Sequence, residues 1–222
     1  MKNSIVLATA VAAVLTSGVA AADLSANAGV FSNYIWRGVT QTGDAAAGQG
    51  GIDWGNDSGV YVGTWVSTLG GGLGYEMDLY AGFAGEAGSI GYDVGVISYQ
   101  YPVTPNFNFT EIYVSGSISG LTVGLAATVD AASGNDGSVF DEGDLYLNGS
   151  FDYAVGSSDV SVYAGSYMFD NDGGTAGDVD YVHFGASVSK DGFTFAVDKN
   201  DIDGGTADAV RFTASYGMDF EL

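Results

Sequence analysis

The chain ends on "AVRFTASYGMDFEL", and every second residue of that stretch is apolar or aromatic: Val210, Phe212, Ala214, Tyr216, Met218, Phe220 and Leu222. The residues between them, Arg211, Thr213, Ser215, Gly217, Asp219 and Glu221, are polar or small. A strict period of two puts the sets on opposite faces of a strand, whereas a helix would scatter them. The run is about twice the usual strand length of 5–6 residues. The same alternation recurs over residues 24–36, 49–55, 59–68, 75–84, 90–100, 107–119, 121–129, 145–155, 159–169, 180–189, 193–198 and 209–222, which predicts about twelve strands. A change of phase near Val30 and Phe31 predicts a bulge in the first of them. No helical pattern appears beyond residue 22.

The connections carry a second pattern. "RGVTQTGDAAAG" is long and "NDS" short; "LGGGLG" is longer than the "GEAGS" that follows; "YPVTPN" precedes a turn at Gly120. "DAASGNDGSVFDEGD", "DNDGGTAGDV" and "KNDIDGGTAD" are long and alternate with "GSS" and "KDG". Alternating long and short connections predict an up-and-down antiparallel β-barrel of the outer-membrane kind, with short periplasmic turns and longer outer loops. Strands in hydrocarbon leave no edge unpaired, so the first strand is expected to close on the last. An even strand number then puts both termini on the short-turn side.

Composition fits this picture. The chain holds 27 Asp and Glu against 5 Lys and Arg, a net charge of −22, which excludes a general nucleic-acid binder. Acidity with 46% hydrophobic residues is not the signature of disorder. With no cysteine there is neither a disulfide frame nor a thiolate metal site. Residues 1–22, with Lys2, an apolar run from Ile5 to Leu15 and small residues Ala20, Ala21 and Ala22, read as a secretory signal peptide, leaving 23–222 as a single transmembrane barrel domain. Aromatic residues near strand ends (Tyr34, Trp36, Trp54, Tyr99, Tyr101, Phe107, Phe109, Phe169, Phe193 and Phe220) are expected to form interfacial girdles.

The stretches "SNYIWRGVTQT", "GGIDW", "SGVYVGTWVST", "EMDLYAGFAGE", "YDVGVISYQYP" and "EIYVSGS" resemble, in order and spacing, the TorF-type porins of proteobacteria. The resemblance covers most of the chain beyond residue 22 and is densest between Ser32 and Ser117. It implies an outer-membrane barrel and a porin, and carries over no catalytic or binding residue. The expected partners are outer-membrane lipid and lipopolysaccharide, the barrel assembly machinery through the C-terminal strand, and small solutes. That strand departs from the usual terminal aromatic by ending on Leu222, with Phe220 two residues before.

The candidate chemistry lies opposite the apolar face. Asp53, Glu76, Asp78, Asp93, Glu111, Asp152, Arg211 and Arg37, with Tyr80 and Tyr113, are expected to line the lumen, because charge costs too much against lipid. A barrel of this strand number lies between filled and water-conducting sizes, so a narrow pore for cationic or polar solutes is the expected function. One arrangement sets a carboxylate wall of Glu76, Asp78 and Glu111 across the lumen from Arg37 and Arg211, creating a transverse field. The other pairs each arginine with a near neighbour such as an acidic loop residue. A non-conducting barrel with an adhesive or structural role is the alternative. His183, the only histidine, shares the inner face with Tyr181 and Ser187 and is expected to line the lumen as well; a lipid hydrolase would rest on it, but no G-x-S-x-G and no zinc-site partner accompanies it. "DNDGG" at 170–174 and "NDIDGG" at 200–205 lack the spacing of a calcium loop and read as solvated loops with scope for divalent bridging to lipopolysaccharide. No cofactor and no metal ligand is expected.

Overall fold

The structure, a computed structural model, describes residues 23–132, 140–170 and 179–222. The signal-peptide segment 1–22 and most of "DNDGG" lie outside the described residues. The strands are β1 (Asp23–Phe31), a small hairpin of β2 (Ile35–Trp36) and β3 (Val39–Thr40), β4 (Ala47–Gly55), β5 (Val60–Thr68), β6 (Tyr75–Ala87), β7 (Ile90–Gln100), β8 (Phe109–Ile118), β9 (Leu121–Ala131), β10 (Leu145–Val155), β11 (Ser158–Met168), β12 (Tyr181–Lys190), β13 (Phe193–Asn200) and β14 (Arg211–Glu221). Excluding β2 and β3, twelve strands form one closed antiparallel barrel in chain order. β1 closes it, pairing with β4 from Asp23↔Gly55 to Phe31↔Ala47 and with β14 from Ser25↔Glu221 to Phe31↔Ser215.

Turn chemistry sets one end. Ser119 and Gly120 take φ of 50° and 86°, and Asp191 and Gly192 take 51° and 83°. Two successive positive φ values make the type I′ turn whose twist matches a hairpin, and glycine is the residue that fills its second position without strain. The five short connections lie at this end with β1's start and β14's finish. The other end carries the longer connections: 32–46, 69–74, 101–108, 132–144, 169–180 and 201–210.

The outward face is apolar along the wall. Val94, Ile112, Val114 and Val123 are each about half exposed, and Phe212 is 80% exposed. Soluble monomers rarely expose contiguous apolar patches beyond a few hundred Å². This face instead suits hydrocarbon, with every wall strand's backbone bonded on both sides. Val114 lies midway along β8, so Val114→Arg is expected to cost about 2–4 kcal/mol in lipid. Its inward neighbour Ser115→Arg should cost much less. Denaturant titration of barrels folded in vesicles measures both.

Two expectations are corrected here. The run 24–36 is not one bulged strand: β1 ends at Phe31 with regular pairing on both sides, and the chain then leaves the wall. The register shift in the wall falls instead between Thr110 and Glu111 of β8. The girdle also exists mainly at the short-turn end, where Trp54, Phe83, Tyr92, Phe151, Tyr153, Phe193, Tyr216 and Phe220 face outward and exposed. Tyr34, Trp36, Tyr99, Tyr101 and Phe109 are buried inside the barrel, with Phe107 and Phe169 packed against them.

Candidate functional site

The segment 32–46 folds into the mouth of the barrel. Asn33 organises its base: its Oδ1 accepts from Thr40 Oγ1 at 2.7 Å and Thr42 Oγ1 at 2.8 Å, while its Nδ2 donates to Asp44 Oδ1 at 2.8 Å. Gln41 N donates to Tyr34 O at 2.8 Å, and the β2–β3 pairs Ile35↔Thr40 and Trp36↔Val39 extend the hairpin. Its tip is Arg37–Gly38, at φ of 48° and 78°. Arginine in the left-handed region costs on the order of 1–3 kcal/mol, so the surroundings must hold it there. Gly38 sits so close to His183 of β12 that a Cβ would overlap that side chain, and its carbonyl accepts from Asn200 Nδ2 of β13 at 2.7 Å.

The hairpin touches the wall on all sides. Tyr34 meets Trp65 of β5 edge-on at 5.4 Å and donates its hydroxyl to Glu76 of β6 at 2.9 Å. Burial, and after it the charges of Glu76 and Asp78, raise the Tyr34 phenol well above its ordinary value, so it stays a donor. Trp36 packs edge-on against Tyr99 of β7, Phe109 of β8, Phe140 and Tyr167 of β11 at 5.7–6.1 Å. Arg37 reaches β8: its Nη1 and Nη2 donate to the two carboxylate oxygens of Glu111 at 2.8 and 2.6 Å. The guanidinium carbon lies 4.0 Å from the ring centre of Tyr146, 4.3 Å from Trp36 and 4.9 Å from Tyr167. Tyr99 donates to Glu111 at 3.3 Å. These groups are nearly all buried, so the long-loop half of the bore is filled.

The expected lining residues separate by level: Asp152, near the short-turn end of β10, is exposed and accepts from Ser150 Oγ at 3.2 Å, and the others lie deeper. Arg37 is corrected from the first wall strand to the tip of this hairpin, because the chain leaves the wall after Phe31. Glu76, Asp78 and Glu111 face inward at the hairpin's level, with Asp78 beside the other two charges and its Oδ1 unpartnered. Arg211 also faces inward but does not join Arg37. Its Nε donates to Asp44 at 2.8 Å, and its remaining donors take the carbonyls of Thr206, Ala207 and Ala209. A field between a carboxylate wall and an arginine pair is therefore corrected: the hairpin carries Arg37 directly onto Glu111, and Arg211 binds the acidic loop residue Asp44. His183 is 5% exposed; it pairs through Nε2 with Tyr146 at 2.8 Å and stacks on that ring, while its Nδ1 has no partner. Of the 200–205 stretch, Asn200 is buried under the hairpin, and Asp201 accepts from Val182 N at 2.7 Å. Among the described residues no cluster of His, Asp or Glu can hold a metal ion.

Below the hairpin the lumen is lined by carboxylates and phenols. Tyr80 donates to Asp53 in a short bond, Tyr61 donates to Asp93 at 2.7 Å and is in short contact with Tyr113, and Tyr163 donates to Asp198 at 2.8 Å. The rings lie over glycines on neighbouring strands, Tyr61 over Gly82 and Tyr113 over Gly95, where any side chain would displace them. Asp53 and Asp93 remain partly exposed. Sequence reasoning missed Asp44, Tyr146, Asp198 and Asn200. For Asp198 the signal was available: it shares strand parity with Thr194 and Ala196, opposite Phe193, Phe195 and Val197.

No curated protein matches the sequence. Among solved structures, KdgM porin matches with a TM-score of 0.57 at 11% identity, over 89% of this chain and 99% of that one. NanC porin matches with a TM-score of 0.54 at 13% identity, over 90% and 100%. At these identities the likeness establishes a shared barrel fold. The sequence itself matches a family described as a bacterial protein of unknown function (Gcw_chp) over residues 16–221, a description distinct from the TorF-type label. The chain therefore belongs to the Gcw_chp family.

Proposed function

We propose that this barrel is an outer-membrane channel for small cationic or polar solutes, narrowed at its long-loop end by the hairpin of 32–46. The observation that carries this reading is the lumen below the hairpin, where Asp53 and Asp93 stay partly exposed inside an apolar shell. Carboxylates exposed to a narrow lumen with low-dielectric walls concentrate cations and repel anions. The porin-type fold and the TorF-type resemblance support the same conclusion. Residues 1–22 direct export, the short turns and termini face the periplasm, and the long loops face outward with lipopolysaccharide. The β14 strand, with Phe220 on its outward face, is what the assembly machinery reads. The activity is transport, with His183 paired to and stacked on Tyr146 as part of the inner wall.

Refolded protein in a planar bilayer under a salt gradient tests this. The expected result is a cation-selective reversal potential that falls toward zero when Asp53→Asn and Asp93→Asn are combined. A potential unmoved by that pair overturns the selectivity assignment. The filled long-loop half favours a second reading, a non-conducting barrel with a structural role. Protein that inserts and stays folded with no conductance establishes that reading instead.

A further inference from the structure

The docked Arg37 side chain shows what the wall can bind. Glu111, 1% exposed, offers both carboxylate oxygens to a planar fork, and the faces of Tyr146 and Tyr167 flank the same guanidinium. A carboxylate aligned for two parallel N–H donors beside aromatic faces is the chemistry that selects a guanidinium over a spherical cation. Its wall components, Tyr99, Glu111, Tyr146 and Tyr167, come from four strands of the barrel, so their backbone is placed by the wall and not by the hairpin. Two further carboxyl groups, Glu76 and Asp78, are buried at the same level, and Asp78 Oδ1 has no partner. The tethered arginine is held at a strained φ of 48°, so its hold on the site is weaker than its contacts alone imply.

We propose that Glu111, Tyr99, Tyr146 and Tyr167 form a recognition site for solutes bearing a guanidinium group, and that Arg37 is its internal occupant, which such a solute displaces to undock the hairpin. This deepens the channel reading by naming a solute class; the site itself does not depend on conduction. A tethered group competes at an effective concentration on the order of millimolar, so a free solute must reach that range to displace it.

The test uses the refolded full barrel carrying Arg37→Ala, titrated with ethylguanidinium, with propylammonium, and with potassium at matched ionic strength. Tryptophan fluorescence reports the site, because Trp36 borders it, and the temperature of the folded-to-unfolded gel shift reports stability. Ethylguanidinium should give a saturable signal in the millimolar range and restore much of the lost thermal shift. Propylammonium should act several-fold more weakly, potassium should have no effect, and adding Glu111→Gln should abolish the response. A non-saturating response, an equal response to potassium, or one that survives Glu111→Gln overturns the site. Arg37→Lys, which keeps the charge and loses the fork, takes the same titration if Arg37→Ala does not fold. In the wild type, ethylguanidinium should raise bilayer conductance. Saturable binding without conductance removes the channel reading and leaves the site standing, and conductance without saturable binding does the reverse.

Discussion

Replacing residues 34–41 by Gly-Gly will convert a barrel of small or absent conductance into one with a steady, larger open level. The hairpin is a separable part of the fold. Its base is already closed, with Tyr34 N accepted by Thr42 Oγ1 at 3.2 Å and Thr42 Oγ1 donating to Asn33 at 2.8 Å, so a two-residue link spans the gap. The wall does not use it: β1 pairs with β4 and β14 up to Phe31, and the chain rejoins the wall at Ala47. Deletion removes Trp36 from between the β7–β8 and β11 walls and withdraws Arg37 from Glu111. The remaining inner face there is polar at Glu76, Asp78 and Glu111, so the opened mouth wets instead of gating by dewetting. The barrel should still show its gel shift, and bilayer current should rise with cation selectivity retained. Conductance equal to wild type would show that the hairpin is not the constriction.

The wall was legible because lipid imposes a simple rule on it. Every strand must bond on both sides and show apolar side chains outward, so period two recurs along the chain, as in "LTVGLAATV" and "YEMDLYAGF", and β7 and β10 have the bounds the alternation predicts. The same parity placed Glu76, Asp78 and Glu111 inside. The hairpin was hidden because its cause is tertiary. Past the change of phase at Val30 and Phe31, "NYIW" is apolar enough to read as more strand, and the end of pairing at Phe31 with the bonds of Asn33 to Thr40, Thr42 and Asp44 shows that the chain has left the sheet. The inward aromatics were misassigned by position when parity would have placed them. Tyr99 shares its face with Asp93, and Phe109 shares its face with Glu111, so neither ring can face lipid while those carboxylates face the lumen.

The pairing of Arg37 with Glu111 should be the most strongly coupled contact in the described structure. Removing one partner of a buried ion pair leaves the other charge unsolvated, so Glu111→Ala alone should destabilise the docked state by about 3–5 kcal/mol, and Arg37→Ala by a similar amount. The double variant should cost clearly less than the sum, because it strands no charge and releases the left-handed arginine. Arg37→Met with Glu111→Leu goes further: apolar groups among Trp36, Phe109 and Tyr167 should recover most of the loss, since a buried pair is often no better than well-packed side chains. The exposed pair Lys199–Asp208, at 3.6 Å, supplies the contrast, with a coupling below about 1 kcal/mol. Denaturant titration of the four members of each cycle in lipid, read by tryptophan fluorescence, gives both couplings. If the Arg37 and Glu111 losses simply add, the guanidinium is not held by that carboxylate, and the hairpin owes its docking to its aromatic contacts alone.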